Sequence, residues 1–228
     1  MSDPAPSATP APSSAVAALV ARESRRIRNG IRYARGQRFT QLEPTPKDLV
    51  WSQGKIELHR YRNDNVVFHP PVVLLLGLVS KSSLFDLYEG SSMARALVDA
   101  GFDVYVIHWG EADAGDAENT VEHYVQRYLP RMLRAVCRLS GSDDTTLVGY
   151  CMGGNFALLA VAGVPDLPVR NLITMASPVD FDEMPPQFSP LRQEGFDPRD
   201  FVDASGCIPV ELVARFYELR RPTAAAAQ

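Results

Sequence analysis

The residues with the clearest chemical potential are a cysteine and the glycines around it. Cys151 lies in the box G-Y-C-M-G-G at residues 149–154, between the run T-T-L-V at 145–148, rich in β-branched residues, and the largely apolar segment at 155–160. The first run predicts a β-strand and the second an α-helix. A thiol at a helix N-terminus is favoured as the thiolate, because the helix dipole places partial positive charge there. The pattern therefore predicts a nucleophile, Cys151, on a sharp strand-to-helix turn.

The glycines of the box have a steric explanation. A turn that projects a nucleophile forces its backbone into a strained conformation, so the residues two before and two after must be very small. Gly149 and Gly153 meet that requirement, and Gly154 lets the helix pack closely on the sheet. The backbone N–H of Met152 then points to where an oxyanion develops. This arrangement resembles the nucleophile elbow of α/β-hydrolases with cysteine in place of serine, although glycine-rich turns with a buried cysteine also occur in other α/β folds.

Composition excludes several function classes. The 228 residues carry a formal net charge of −4, which disfavours a dedicated nucleic-acid binder. The three cysteines show no pairing pattern and no metal-ligand spacing, which fits a reducing cytosol and predicts no metal site. No apolar run reaches the length of a transmembrane helix, and no hydrophobic signal core opens the sequence.

Strand and helix patterns alternate through the middle of the chain, which predicts an α/β fold with a mostly parallel sheet and helices on both faces. Pro130 falls inside the longest helical pattern and should kink or split it. The predicted elements are a hairpin over 49–61, strands at 72–76, 104–107, 145–148 and 172–175, a helix capped by Ser91, and a long helix over 121–136.

Three regions are predicted along the chain. Residues 1–43 form a leader, which is Ala/Pro/Ser-rich and disordered at first and then basic, with seven arginines against one glutamate over 15–38. This leader fits a solvated, partly helical segment, a docking segment for a partner or anionic surface, or an organelle transit peptide. Residues 44–180 form the core, and residues 181–228, rich in proline and phenylalanine, begin a cap or lid.

Four local motifs, together with residues 206–223, which look like the start of the family's cap, resemble polyhydroxyalkanoate synthases over about residues 44–223, particularly the catalytic subunit of the two-subunit, class III type. The box at 149–154 matches the family's G-x-C-x-G-G, and 171–181 (NLITMASPVDF) matches its segment ending in P-V-D-F. The segment 76–87 (LGLVSKSSLFDL) matches the oxyanion strand, with Ser80 where asparagine is usual. Residues 108–110 (HWG) match Asp-Trp-Gly, with histidine replacing aspartate.

The resemblance implies an α/β-hydrolase fold and an acyltransferase that polymerises (R)-3-hydroxyacyl-CoA into polyhydroxyalkanoate through a thioester on Cys151. It implies Val79 as the second oxyanion donor, through its backbone N–H, beside Met152. No cofactor is implied, since the CoA thioester is substrate and CoA is product. The implied partners are the polyester chain, a second synthase subunit or a homodimer, and a polymer granule surface, in a cytoplasmic or granule-associated protein.

One departure from the family pattern concerns the catalytic base. The α/β-hydrolase chain order is nucleophile, acid, histidine, yet no histidine follows Cys151. The chain is therefore expected to be a synthase truncated inside its cap, without the Asp and His of the triad. His108 is expected to be a packing or surface residue rather than the base, and Asp180 and Asp182 to be structural. A non-catalytic synthase-like subunit and a thioesterase or depolymerase on the same fold are the alternatives.

Overall fold

The computed structural model describes residues 42–183, 193–204, 206–209 and 211–213. Residues 41–210 form one unit, and residues 1–40 with 211–228 form a second, of which a helical turn at 211–213 is described. Residues 1–41 of the predicted leader and most of the cap's second half thus lie outside the described residues. Within the described residues, no helix combines the length and apolar character that crossing a membrane requires.

The central element is a mostly parallel sheet built from the apolar runs. Its strand order is β1-β2-β6-β3-β7-β8, in which β6, β3, β7 and β8 run parallel and the β1–β2 hairpin joins β6 in antiparallel fashion. The remaining two strands, β4 and β5, form a small separate hairpin. The described strands are β1 (Lys47–Gln53), β2 (Ile56–Tyr61), β3 (Phe68–Leu75), β4 (Asp86–Tyr88), β5 (Ser91–Ser92), β6 (Phe102–His108), β7 (Thr145–Tyr150) and β8 (Val169–Met175).

Helices cover both faces of the sheet, as predicted. The helix α1 (Met93–Asp99) packs on one face, and α2 (Leu129–Ser140) with α3 (Met152–Gly163) packs on the other. The cap of α1 is Ser92, whose side chain accepts from the backbone N–H of Arg95, so the prediction of Ser91 was one residue early. The central strands β3, β6 and β7 are buried on both faces, which explains their continuous Val/Leu/Ile runs.

The long helical pattern changes its hydrogen-bond register next to Pro130 without being interrupted. Residues His123–Tyr128 form a π-helical segment, and the α-helix α2 begins only at Leu129, which places Pro130 in its first turn. The backbone stays helical through Tyr128, and the N–H of Leu129 donates to the carbonyl of Tyr124 five residues back, so the proline, which has no N–H to donate, follows a widened π-helical turn. The π-helical segment still buries Tyr124 and Val125, whereas Val121 before it is exposed.

The β8 edge of the sheet exposes apolar surface. Among the described residues β8 pairs only with β7, Ile173 on β8 is 47% exposed, and Leu159 and Val161 on α3 are also exposed. An unpaired apolar edge is a template for association between chains. The opposite edge differs, because β1 carries a bulge and the Asp48–Arg62 ion pair, two features that protect edge strands.

We therefore expect the 228-residue polypeptide to self-associate in solution, and Ile173→Lys to reduce that association, because a charge on the exposed edge opposes strand pairing. The matched control is Leu49→Lys on β1, where the side chain is similarly exposed, and this change should have no effect. Light scattering after size exclusion measures both. A monodisperse unmodified monomer, or equal effects of the two lysines, would contradict the expectation.

Candidate active site

Cys151 lies between β7 and α3 with the backbone conformation that the box predicts. Its φ of 53° and ψ of −125° lie in a region that a residue with a side chain rarely adopts. The turn is held from both sides, since the N–H of Cys151 donates to the carbonyl of Met175 at 2.9 Å and its own carbonyl accepts from Gly154 at 2.9 Å. The side chain is half-buried at the carboxyl edge of the sheet. A strained residue held in this way is typical of a functional site.

Each glycine of the box lies against other backbone or a fixed side chain. A Cβ on Gly149 would lie 2.7 Å from the carbonyl oxygen of Gly153, inside any allowed contact. A Cβ on Gly153 would collide with the carbonyl of Leu75 at the end of β3, and one on Gly154 with the side chain of Ser177. The glycines therefore let the elbow, β3 and the segment after β8 meet at one point.

The loop after β3 packs directly against the elbow. Gly77 lies so close to Met152 that a Cβ on the glycine would collide with the methionine side chain. Just before it, the carbonyl of Leu76 accepts a 2.8 Å hydrogen bond from the indole Nε1 of buried Trp109. Val79 follows in a turn with an exposed side chain. The loop of Val79 and the turn of Met152 are thus neighbours, while the roles of their N–H groups in an oxyanion hole stay predictions.

Residues just before β1 form hydrogen bonds with the residues in which the loop after β3 ends. One carboxylate oxygen of Glu43 accepts from Lys47 Nζ and from the hydroxyl of Ser82, each at 2.7 Å. The buried carboxylate of Asp86 accepts from the N–H of Thr45 at 3.0 Å and from its hydroxyl at 2.9 Å. Burial tends to raise the pKa of Glu43, but the hydrogen bonds from Lys47 and Ser82 outweigh it and hold the pKa below its usual value.

This lowered pKa predicts a stability that depends on pH. Because the Glu43 carboxyl binds its proton more weakly in the folded chain, its stabilising contribution is complete above the unfolded carboxyl pKa and is lost as pH falls through the folded pKa. The melting temperature of Glu43→Gln should be lower than that of the unmodified chain near neutral pH, and the two should converge on acidification below about pH 4. Exposed Glu118→Gln is the control. A Glu43→Gln deficit that is independent of pH would contradict this origin.

His108, which lies at the same end of the parallel strands as Cys151, is too far from the thiol for a direct hydrogen bond across the sheet. His108 ends β6, which is separated from β7 by β3, so about 10 Å of sheet lies between the two strands. The Nδ1 of His108 accepts a 3.1 Å hydrogen bond from the backbone N–H of Gly110. His108 therefore shapes the turn after β6, in agreement with the packing role expected for it.

The other polar candidates of the sequence also have local roles. His59 lies on β2, and His123 begins the π-helical segment. His69 lies near the amino end of β3, whereas the elbow lies at the carboxyl ends of the parallel strands. The Oδ1 atom of Asp180 accepts hydrogen bonds from the backbone N–H groups of Asp182 and Glu183, at 2.9 and 3.4 Å. These bonds close a local turn, which is the structural role expected for Asp180. Among the described residues, no group of His, Cys, Asp and Glu has a metal-binding arrangement.

Sequence reasoning missed two parts of this site. Trp109 and Gly77 were each noted only within a motif and given no role, although a buried tryptophan needs a hydrogen-bond partner for its N–H. That requirement signals a polar contact but does not say with which residue, since Leu76 lies 33 positions earlier in the chain.

The comparisons with known proteins agree with this geometry. The family model described as the alpha/beta hydrolase fold matches residues 70–206, which include the elbow and the loop after β3. The chain belongs to the α/β-hydrolase fold family. The match spans the parallel strands, α1, α2 and α3, so the predicted fold class is confirmed.

The sequence is also similar to poly(3-hydroxyalkanoate) polymerase subunits PhaC, which confirms the resemblance stated above. It is 34% identical to the subunit of Synechocystis sp. over 80% of this chain and 50% of that one. It is 34% identical to the subunit of Allochromatium vinosum over 83% and 54%, and 32% identical to that of Haloferax mediterranei over 78% and 36%. The chain thus spans about half the length of the curated relatives it matches, or less.

Proposed function

We propose that this chain carries the nucleophile of a polyhydroxyalkanoate synthase, an acyltransferase that joins (R)-3-hydroxyacyl groups from CoA thioesters into a polyester. The observation that carries the proposal is the strained elbow at Cys151, closed by three glycines, in a chain similar to PhaC subunits. The PhaC names come from relatives of about twice the length, so the substrate and the polymer product are part of the proposal.

The proposed reaction has two covalent steps. The thiolate of Cys151 adds to the thioester carbonyl carbon, and the carbonyl electrons move to oxygen, where the N–H groups of Met152 and Val79 donate to the oxyanion. Collapse of the oxyanion breaks the carbon–sulfur bond to CoA, whose thiolate leaves and takes up a proton. The hydroxyl of a growing chain then attacks the acyl-cysteine, gives its proton to a base, forms an ester and releases the Cys151 thiolate.

Cysteine suits this sequence of steps better than serine. Exchange between two thioesters is nearly isoenergetic, so the acyl group on Cys151 stays reactive towards the next hydroxyl. The resemblance implies a histidine base oriented by an aspartate. The four histidines of this chain lie elsewhere in the fold, so the base is not assigned to any of its residues.

Incubation with (R)-3-hydroxybutyryl-CoA tests the proposal and separates it from the alternatives. A synthase nucleophile predicts release of CoA with the acyl group retained on protein or in oligomeric ester. Free hydroxy acid as the main product would instead identify a thioesterase or depolymerase. Binding without CoA release, unaffected by Cys151→Ala, would identify a non-catalytic subunit. We also propose, from the same resemblance, that the partners of the chain include a second subunit or a second copy and a polymer granule surface.

A further inference from the structure

Trp109 links the end of β3 to the residue that follows β6. Its side chain is 8% exposed, and its indole N–H donates to the carbonyl of Leu76 at 2.8 Å in a buried hydrogen bond. Leu76 stands one residue beyond Leu75, where β3 makes its last pairing with β7. The indole therefore supplies a hydrogen bond at the point where the sheet ends and the loop begins.

The same indole packs against the helix that begins at the elbow. Its ring meets Phe156 of α3 edge-on with 6.3 Å between centroids, and Tyr124 of the π-helical segment edge-on at 5.3 Å. Phe156 and Tyr124 are themselves stacked at 5.9 Å. Trp109 thus contacts both elements on which the proposed oxyanion donors lie, the loop of Val79 and the helix that starts at Met152.

The contact between those two elements has little freedom. Gly77 follows Leu76 directly and lies against Met152 with no space for a Cβ. A shift of the Leu76 carbonyl would therefore change how the loop meets the elbow. Misplacing a catalytic donor by about 1 Å can cost on the order of 100-fold in rate.

We propose that Trp109 is a positioning residue, whose indole N–H holds the Leu76 carbonyl so that the loop after β3 keeps the second oxyanion donor beside the first. The inference rests on one part of the proposed function, which is that Cys151 attacks a carbonyl carbon. Trp109 does not touch the substrate, and its effect is confined to steps in which an oxyanion forms.

The test compares two reactions of the same thiol. Acylation by p-nitrophenyl acetate passes through an oxyanion, whereas alkylation by iodoacetamide does not. Trp109→Phe should slow acylation of Cys151 by about 10- to 100-fold and leave its alkylation rate within about 2-fold of the unmodified chain. The matched control is Trp51→Phe, since Trp51 is the other tryptophan of the chain, and it should change neither rate.

Two outcomes would overturn the inference: unchanged acylation in Trp109→Phe, or an equal loss of acylation and alkylation, which would indicate a general structural role. If Trp109→Phe does not melt cooperatively, 3-benzothienylalanine at position 109 replaces it, because sulfur removes the N–H and keeps the ring shape. Acylation of the unmodified chain by p-nitrophenyl acetate but not by (R)-3-hydroxybutyryl-CoA would reject the proposed function alone. Acylation by neither would reject both.

Discussion

Cys151→Ala is expected to abolish covalent acylation of the chain by (R)-3-hydroxybutyryl-CoA and to lower CoA release by at least about 1,000-fold. The reason is that the proposed reaction has no other nucleophile, and removing the nucleophile of such a site leaves only the effects of binding and oxyanion stabilisation. CoA release is followed with a thiol reagent after removal of protein, and acylation by intact mass.

The matched control for this change is Cys137→Ala. Cys137 lies on α2, where burial raises the pKa of its thiol and so lowers its reactivity. The Cys137→Ala chain should be acylated at the rate of the unmodified chain. Equal acylation of the Cys151→Ala chain would place the nucleophile elsewhere and reject the elbow as the active site.

Gly149→Ala is expected to destabilise the fold by at least about 3 kcal/mol. The added Cβ would lie 2.7 Å from both the carbonyl oxygen of Gly153 and the N of Gly154. Backbone atoms cannot move aside as a flexible side chain does, so β7 and α3 would have to separate. Urea denaturation followed by far-UV circular dichroism, in the Ile173→Lys background that lowers self-association, gives the free energy of unfolding.

The control is Gly163→Ala at the other end of the same helix. A Cβ on Gly163 meets nothing within 4 Å, so alanine should stabilise the helix by about 0.5–1 kcal/mol. The two changes are chemically identical and differ only in their surroundings. A free energy of unfolding for Gly149→Ala within about 1 kcal/mol of the unmodified chain would contradict the close packing of the elbow.

The elbow could be predicted from the sequence because its requirements are local. A strained nucleophile turn needs small residues at fixed offsets, and Gly149 and Gly153 stand at those offsets. The central strands could also be predicted, since a strand that is buried on both faces has a continuous apolar sequence. Strand β8 was predicted only from Leu172, because its first half, with Arg170 and Asn171 exposed at the edge, has no apolar run.

The contacts that hold the site together could not be predicted in this way. The hydrogen bond from Trp109 to Leu76 and that from Ser82 to Glu43 join residues 33 and 39 positions apart. Such pairs depend on the strand order and on the path of loops, and neither residue of a pair has a pattern that identifies its partner. The effect of Pro130 was predictable only in part. The sequence indicated an irregularity of the helix at this proline, but not that a π-helical segment would precede it.

Mass spectrometry of the peptide that contains Cys151 shows whether this thiol accepts an acyl group. The unmodified chain is incubated with (R)-3-hydroxybutyryl-CoA above neutral pH, where thiols ionise, then acid-quenched and digested. We expect one 3-hydroxybutyryl group on Cys151, removable by hydroxylamine. An unacylated Cys151 that iodoacetamide alkylates readily under the same conditions would contradict this expectation.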